Sequence, residues 1–137
     1  MDGMRGRPQM VEFRIDRHSG MAAYLQIVQQ VQEALRLGIL AVGDQLPTAA
    51  RVARDTRLNP NTTLKAYREL EHLGLVEPRP GVGTFVSAIP AQTRPLADSP
   101  LRGELSEWMR RARGAGLDWA DVSALVTAAR AEHYPTP

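Results

Sequence analysis

The chain has 137 residues, 43% hydrophobic and 23% charged, with a formal net charge of +2 and no cysteine. That length suits one compact domain, or a small domain with an appendage. A disulfide framework and a thiolate metal site are excluded, which fits a cytoplasmic protein, and no apolar run approaches the roughly 20 residues of a membrane span.

Met1 to Met10 carries Arg5 and Arg7 among Gly and Pro residues, with no periodicity and no apolar stretch of a secretory signal. Residues 1–12 are expected to be disordered. Phe13 and Ile15 alternate with polar residues and read as a short extended lead-in. From Met21 the period becomes helical, with Tyr24, Ile27, Val28, Val31 and Leu35 on one face and Gly38 as the stop. Leu40 to Gly43 connects to a second helix, capped by Thr48, with Val52 and Ala53 inward and an end near Thr56. The third helix has Asn59 as N-cap and Pro60 at N1. Its expected inner face is Thr63 or Leu64, then Tyr67, Leu70 and Leu73, with Gly74 as the C′ residue. Leu75 to Glu77 and Thr84 to Val86 read as two strands around a Pro78–Gly83 turn.

Pro90, Pro95 and Pro100 mark residues 88–100 as a linker. Beyond it the pattern predicts a helix from about Leu101 to Arg113, capped by Ser99 and carrying Leu105, Trp108 and Met109. A second helix starts at Asp118 with Asp121 at N3, and carries Val122, Leu125 and Val126. The expected fold class is mainly α with a small β-hairpin wing. It comprises a winged helix-turn-helix over 13–87 and a short two-helix C-terminal dimerisation element over 101–134. Two short helices bury little core alone, so Leu101, Leu105, Trp108, Met109, Val122, Leu125 and Val126 need a partner surface. A second copy supplies one, giving a homodimer; docking on the first helix is the alternative.

A short helix joined by a tight turn to another presents that second helix to the major groove of double-stranded DNA, about 12 Å wide. Asn59, Asn61 and Thr62 put short polar side chains at the opening of the third helix, where asparagine can pair with adenine and threonine can reach a base edge. The amide groups of the same end favour phosphate. Lys65 and Arg68 follow one and two turns on, placed for phosphates, while Thr48 and Arg51 open the second helix. Gly81 and Gly83 leave the wing tip without side-chain bulk, and Arg79 beside them suits a minor groove. Each piece alone has a plainer reading as a helix start, a solvated face (Arg51, Arg54, Arg57) or a turn. Tyr67 reads as core. The ordered combination points to DNA.

The blocks then resemble a known family. Tyr24, Gln26 and Ile27 are similar to the opening Y-x-Q-I of the GntR family of bacterial transcription regulators, and Gly38 to Pro47 is similar to its G-x-L-x-x-G-D-x-L-P. Asn59 to Thr62, Ala66 to Glu71, Gly74 to Val76 and Gly81 to Val86 continue the match in order. The N-P-N-T and A-Y-R-E-L-E pieces resemble the YtrA subfamily, whose short helical tail is a dimerisation element. The resemblance implies a homodimer on an inverted repeat, often repressing its own operon or one with transport genes. The larger ligand-sensing or aminotransferase-like domains of other subfamilies do not fit the 51 residues after Val86. One departure stands out: Ala50 occupies the family's DNA-contacting arginine position, with Arg51 one residue later, turned by about 100° on the helix.

Against an enzyme, His18, His72 and His133 are scattered without metal-ligand spacing, and Glu69 and Glu71 point to different faces. No catalytic residue, metal or cofactor is expected. A small-molecule effector is compatible with the sequence, but no residue names one. The rival reading, a winged helix used for protein–protein contact, is opposed by the donor-rich tips.

Overall fold

The computed structural model describes residues 11–90, 96 and 98–137, and the chain divides into two units, Met1–Ala97 and Asp98–Pro137. The disorder expected for Met1 to Met10 lies outside the described residues. Val11, Phe13 and Ile15 of the lead-in are partly buried and pack against the core.

The first unit runs α1 (Ala23–Arg36), β1 (Gln45–Leu46), α2 (Ala49–Thr56), α3 (Pro60–His72), β2 (Val76–Arg79) and β3 (Gly83–Val86). In α1 the apolar stripe buries Ile27, Val28, Val31, Ala34 and Leu35. These meet Leu40, Leu46, Val52, Ala66, Tyr67, Leu70, Leu75, Val76 and Val86 in one core. Each large side chain so removed from water contributes about 1.5–3 kcal/mol.

α2 starts where predicted, with the Thr48 side chain accepting from the Arg51 amide at 3.1 Å. α3 starts at Pro60, with Asn59 Oδ1 accepting from the Asn61 amide at 2.8 Å. Between them Arg57 adopts left-handed backbone at φ 58 and ψ 38, a conformation that disfavours any side chain with a Cβ.

Two expectations change. The inner face of α3 is Thr63, Ala66, Tyr67 and Leu70, while Leu64 and Leu73 are exposed. Thr63 is tolerated inside because its hydroxyl donates to Ala49 O at 2.9 Å. The wing is also larger than a hairpin: β1 pairs antiparallel with β3, giving a three-stranded sheet in the order β1-β3-β2. β2 extends through Pro78 to Arg79, which the edge position permits because proline there deprives no neighbour of a needed donor.

The second unit holds α4 (Pro100–Gly114) and α5 (Trp119–His133). Ser99 caps α4, and Asp118 with Asp121 forms a reciprocal capping box on α5. Of the described residues in this unit only Ala112 and Val122 are buried, while Leu101, Leu105, Trp119, Leu125 and Val126 are exposed.

Candidate nucleic-acid interface

Tyr67 and Thr63 fix α3 against the start of α2. The Tyr67 hydroxyl donates to Pro47 O and the Thr63 hydroxyl to Ala49 O, so the two helices are tied where α2 begins. Burial pushes the Tyr67 phenol well above the usual tyrosine range, which keeps it a neutral donor. At the far end of α2, the Arg17 guanidinium donates to Thr56 O at 3.0 Å and Arg57 O at 3.4 Å. A cation there complements the helix C-terminus and holds the turn that Arg57 strains.

With the inner face so occupied, Asn61, Lys65 and Arg68 of α3 are exposed and Thr62 is half-buried. The ammonium of Lys65 lies 4.1 Å from the Tyr24 ring centroid. Asn59 is exposed but spends its carbonyl oxygen on the cap. On α2, Thr48, Ala50 and Arg51 are exposed. Arg51 lies 3.6 Å from Asp55 and lines a cleft of about 570 Å³ with Val11, Phe13, Arg14 and Val52. Its side chain is therefore turned toward the lead-in.

At the wing tip, Val82 N donates to Arg79 O at 2.9 Å and Gly81 has φ +76. Pro80 and Gly81 thus hold the two central positions that suit a type II turn. Arg79 stacks its guanidinium 4.2 Å from the Phe85 ring centroid and sits 3.9 Å from Glu77. Gly83 has φ +145, and a Cβ there would overlap Gln45 Nε2. Gln45 Nε2 in turn donates to Val82 O at 3.0 Å. Gln45 is thus a wing-positioning residue whose only signal in the sequence is its place in the G-D-x-L-P block.

The element order and sheet invite comparison with known regulators. The sequence model described as "Bacterial regulatory proteins, gntR family" matches residues 23–86. The HTH-type transcriptional regulator Rv1152 of Mycobacterium tuberculosis is 32% identical over 114 residues, 83% of this chain and 90% of that protein. The regulator YhcF of Bacillus subtilis is 36% identical over 99 residues, 72% of this chain and 82% of that one. The chain belongs to the GntR family. Within the family it is YtrA-like. The HTH-type transcriptional repressor YtrA of Bacillus subtilis is 43% identical over 74 residues, 54% of this chain and 57% of that protein. The solved structure of YtrA from Sulfolobus acidocaldarius superposes with a TM-score of 0.53 at 26% identity, over 76% of this chain and 99% of that one. The protein is therefore a helix-turn-helix transcription regulator and not an enzyme. The family match ends at Val86 and takes in α1, the sheet and both helices of the candidate interface. Among the described residues no helix is long and apolar enough to cross a membrane.

Proposed function

We propose that this regulator binds DNA sequence-specifically as a homodimer on an inverted repeat, and that it represses transcription. The observation that carries the reading is the two-sided character of α3. Thr63, Ala66, Tyr67 and Leu70 lock one face into the core, while Asn61, Lys65 and Arg68 stand exposed on the other. Asn61 and Thr62 then read base edges, Lys65 and Arg68 meet phosphates, and the wing tip of Arg79, Gly81 and Gly83 lies along the flanking backbone. Thr48 and Arg51 border the same duplex. Repression is carried over from the relative named as a repressor.

Dimerisation is assigned to the second unit, which would occupy residues 101–134. Leu101, Leu105, Leu125 and Val126 are exposed there, with Trp108 and Met109 half-buried. Val122 is already buried within one chain and contributes to shape instead of contact.

The test is a titration against the DNA upstream of the protein's own gene, with a scrambled competitor, at two salt concentrations. Competitor-resistant binding at both is expected. Asn61→Ala should weaken the cognate complex by about 1–3 kcal/mol, and Arg68→Ala should lower affinity for all sequences and reduce the salt slope by about one. A folded dimer whose DNA affinity ignores both substitutions would remove α3 from the interface.

A further inference from the structure

We propose that Arg17 sets DNA specificity as a positioning residue: its guanidinium locks the turn between α2 and α3, and so aims Asn61 and Thr62 at base edges without itself touching DNA. The proposal rests on the DNA-binding reading above.

Its first support is what Arg17 holds. Only Arg57, Leu58 and Asn59 separate the end of α2 from the start of α3. The amides of Arg57 and Leu58 turn back to Ala53 O, whereas carbonyls at the end of a helix have no amide of that helix to accept from. The Arg17 guanidinium supplies both Thr56 O and Arg57 O from one nitrogen, at 3.0 and 3.4 Å. A charged donor makes the stronger kind of hydrogen bond. Arg57 stands at φ 58 and ψ 38, backbone that a residue with a Cβ disfavours. The turn therefore has an easier conformation to relax into, and Asn61 follows within the first turn of α3.

The second support is what holds Arg17. The backbone on both sides of it is pinned to one buried side chain of α1. Gln26 accepts from Asp16 N at 2.8 Å, and donates toward Asp16 O, Ser19 Oγ and Met21 O at 2.9, 3.1 and 2.9 Å. Asp16 Oδ1 accepts from His18 N at 2.9 Å, and Ser19 N donates to Asp16 O at 3.4 Å. Arg17 thus reaches the turn from a closed loop anchored on α1. Thr63 and Tyr67 already tie α3 to the entrance of α2, and Arg17 closes the motif at its other end. A move of its guanidinium to a phosphate would release the turn, so the two roles exclude each other.

The experiment titrates full-length protein onto two labelled duplexes, the DNA upstream of its own gene and a scrambled sequence of the same length, by fluorescence anisotropy at several salt concentrations. Arg17→Ala should bind the upstream duplex about tenfold more weakly, the scale of one lost base contact, with the scrambled affinity and the salt slope unchanged. Arg17→Met, which keeps the apolar stem and removes the donors, should do the same. Circular dichroism sets an assay temperature at which both variants are folded. Combined with Asn61→Ala, either substitution should add less than about a further twofold, because both act on one contact. A variant that keeps the full preference for the upstream duplex, or whose loss adds in full to that of Asn61→Ala, overturns the proposal and leaves the α3 reading standing. Equal weakening on both duplexes, with a salt slope lower by about one, would make Arg17 a phosphate contact and overturn it likewise. Failure of the unmodified chain to prefer the upstream duplex overturns both.

Discussion

Replacing Tyr67 by phenylalanine isolates one buried hydroxyl that ties α3 to the entrance of α2. Tyr67 is 4% exposed and donates to the carbonyl of Pro47, itself buried. Phenylalanine keeps the ring packing and leaves that carbonyl without its donor, which costs about 1–3 kcal/mol. For a unit of this size, each kcal/mol lowers Tm by about 4–8 °C, so a fall on the order of 10 °C is expected near neutral pH. Calorimetry or circular dichroism is the assay, because Trp108 and Trp119 both lie in the second unit and fluorescence would follow the wrong part of the chain. Alkaline pH supplies a second readout. Burial raises the Tyr67 pKa above its unfolded value of about 10, so the folded chain holds this proton more tightly than the unfolded chain. The contribution is complete below pH 10, and stability falls as pH rises beyond it. The phenylalanine variant lacks that dependence, so its deficit should narrow above about pH 10. A Tm within about 2 °C of the parent at pH 7, or a deficit constant through the alkaline range, would refute the argument.

Two other substitutions test the supports of the interface. Gln26→Ala removes a 7%-exposed side chain that accepts from Asp16 N and donates toward Asp16 O, Ser19 Oγ and Met21 O; a loss of about 1–3 kcal/mol is expected. Hydrogen exchange should speed up at the Asp16 amide before it does in α3; protection lost uniformly would mean that the lead-in is not a separate clamp. Gly83→Ala meets both a φ of +145 and Gln45 Nε2, and should destabilise by about 1–3 kcal/mol. Adding Gln45→Ala should recover only part of that loss in denaturant titrations, since the backbone strain persists; full recovery would place the whole cost in the side-chain overlap.

What was legible in the sequence is what is local. Thr48, Asn59 with Pro60, Ser99 and the Asp118–Asp121 pair all cap the helices they were assigned, because a cap satisfies amides two or three residues away. What escaped depends on distant partners. β1 has two residues, too few to show alternation, and exists because β3 lies beside it. Thr63 and Leu64 are both compatible with one helical stripe, and hydrophobicity favours the wrong one. Ala49 O decides for Thr63. Gln26 resembles a surface residue until the lead-in folds over it and offers backbone groups to both ends of its amide. Arg57 carries no sign of left-handed backbone, which is imposed by closing α2 onto α3.

The candidate contacts also differ in a way their charges alone do not reveal. Arg51 already faces Asp55 at 3.6 Å, and Arg79 faces Glu77 at 3.9 Å. Both pairs are about half exposed, where an ion pair is worth only about 0–1 kcal/mol, so a phosphate can displace either carboxylate. In the proposed complex, displacement would leave that carboxylate uncovered beside the same phosphates, which it repels. Lys65 rests on the Tyr24 ring instead, and a cation–π contact leaves no bare anion behind when the ammonium turns to DNA. Arg68 has no such partner among the described residues. Salt dependence counts net charge brought to the phosphates, so on the DNA-binding mode proposed above Lys65 and Arg68 would enter the slope in full and Arg51 and Arg79 only in part. On that proposal the salt-dependent part of the affinity of α3 rests on its own two cations, beside the base reading assigned to Asn61, while α2 and the wing, each carrying its own acid, would act mainly on orientation.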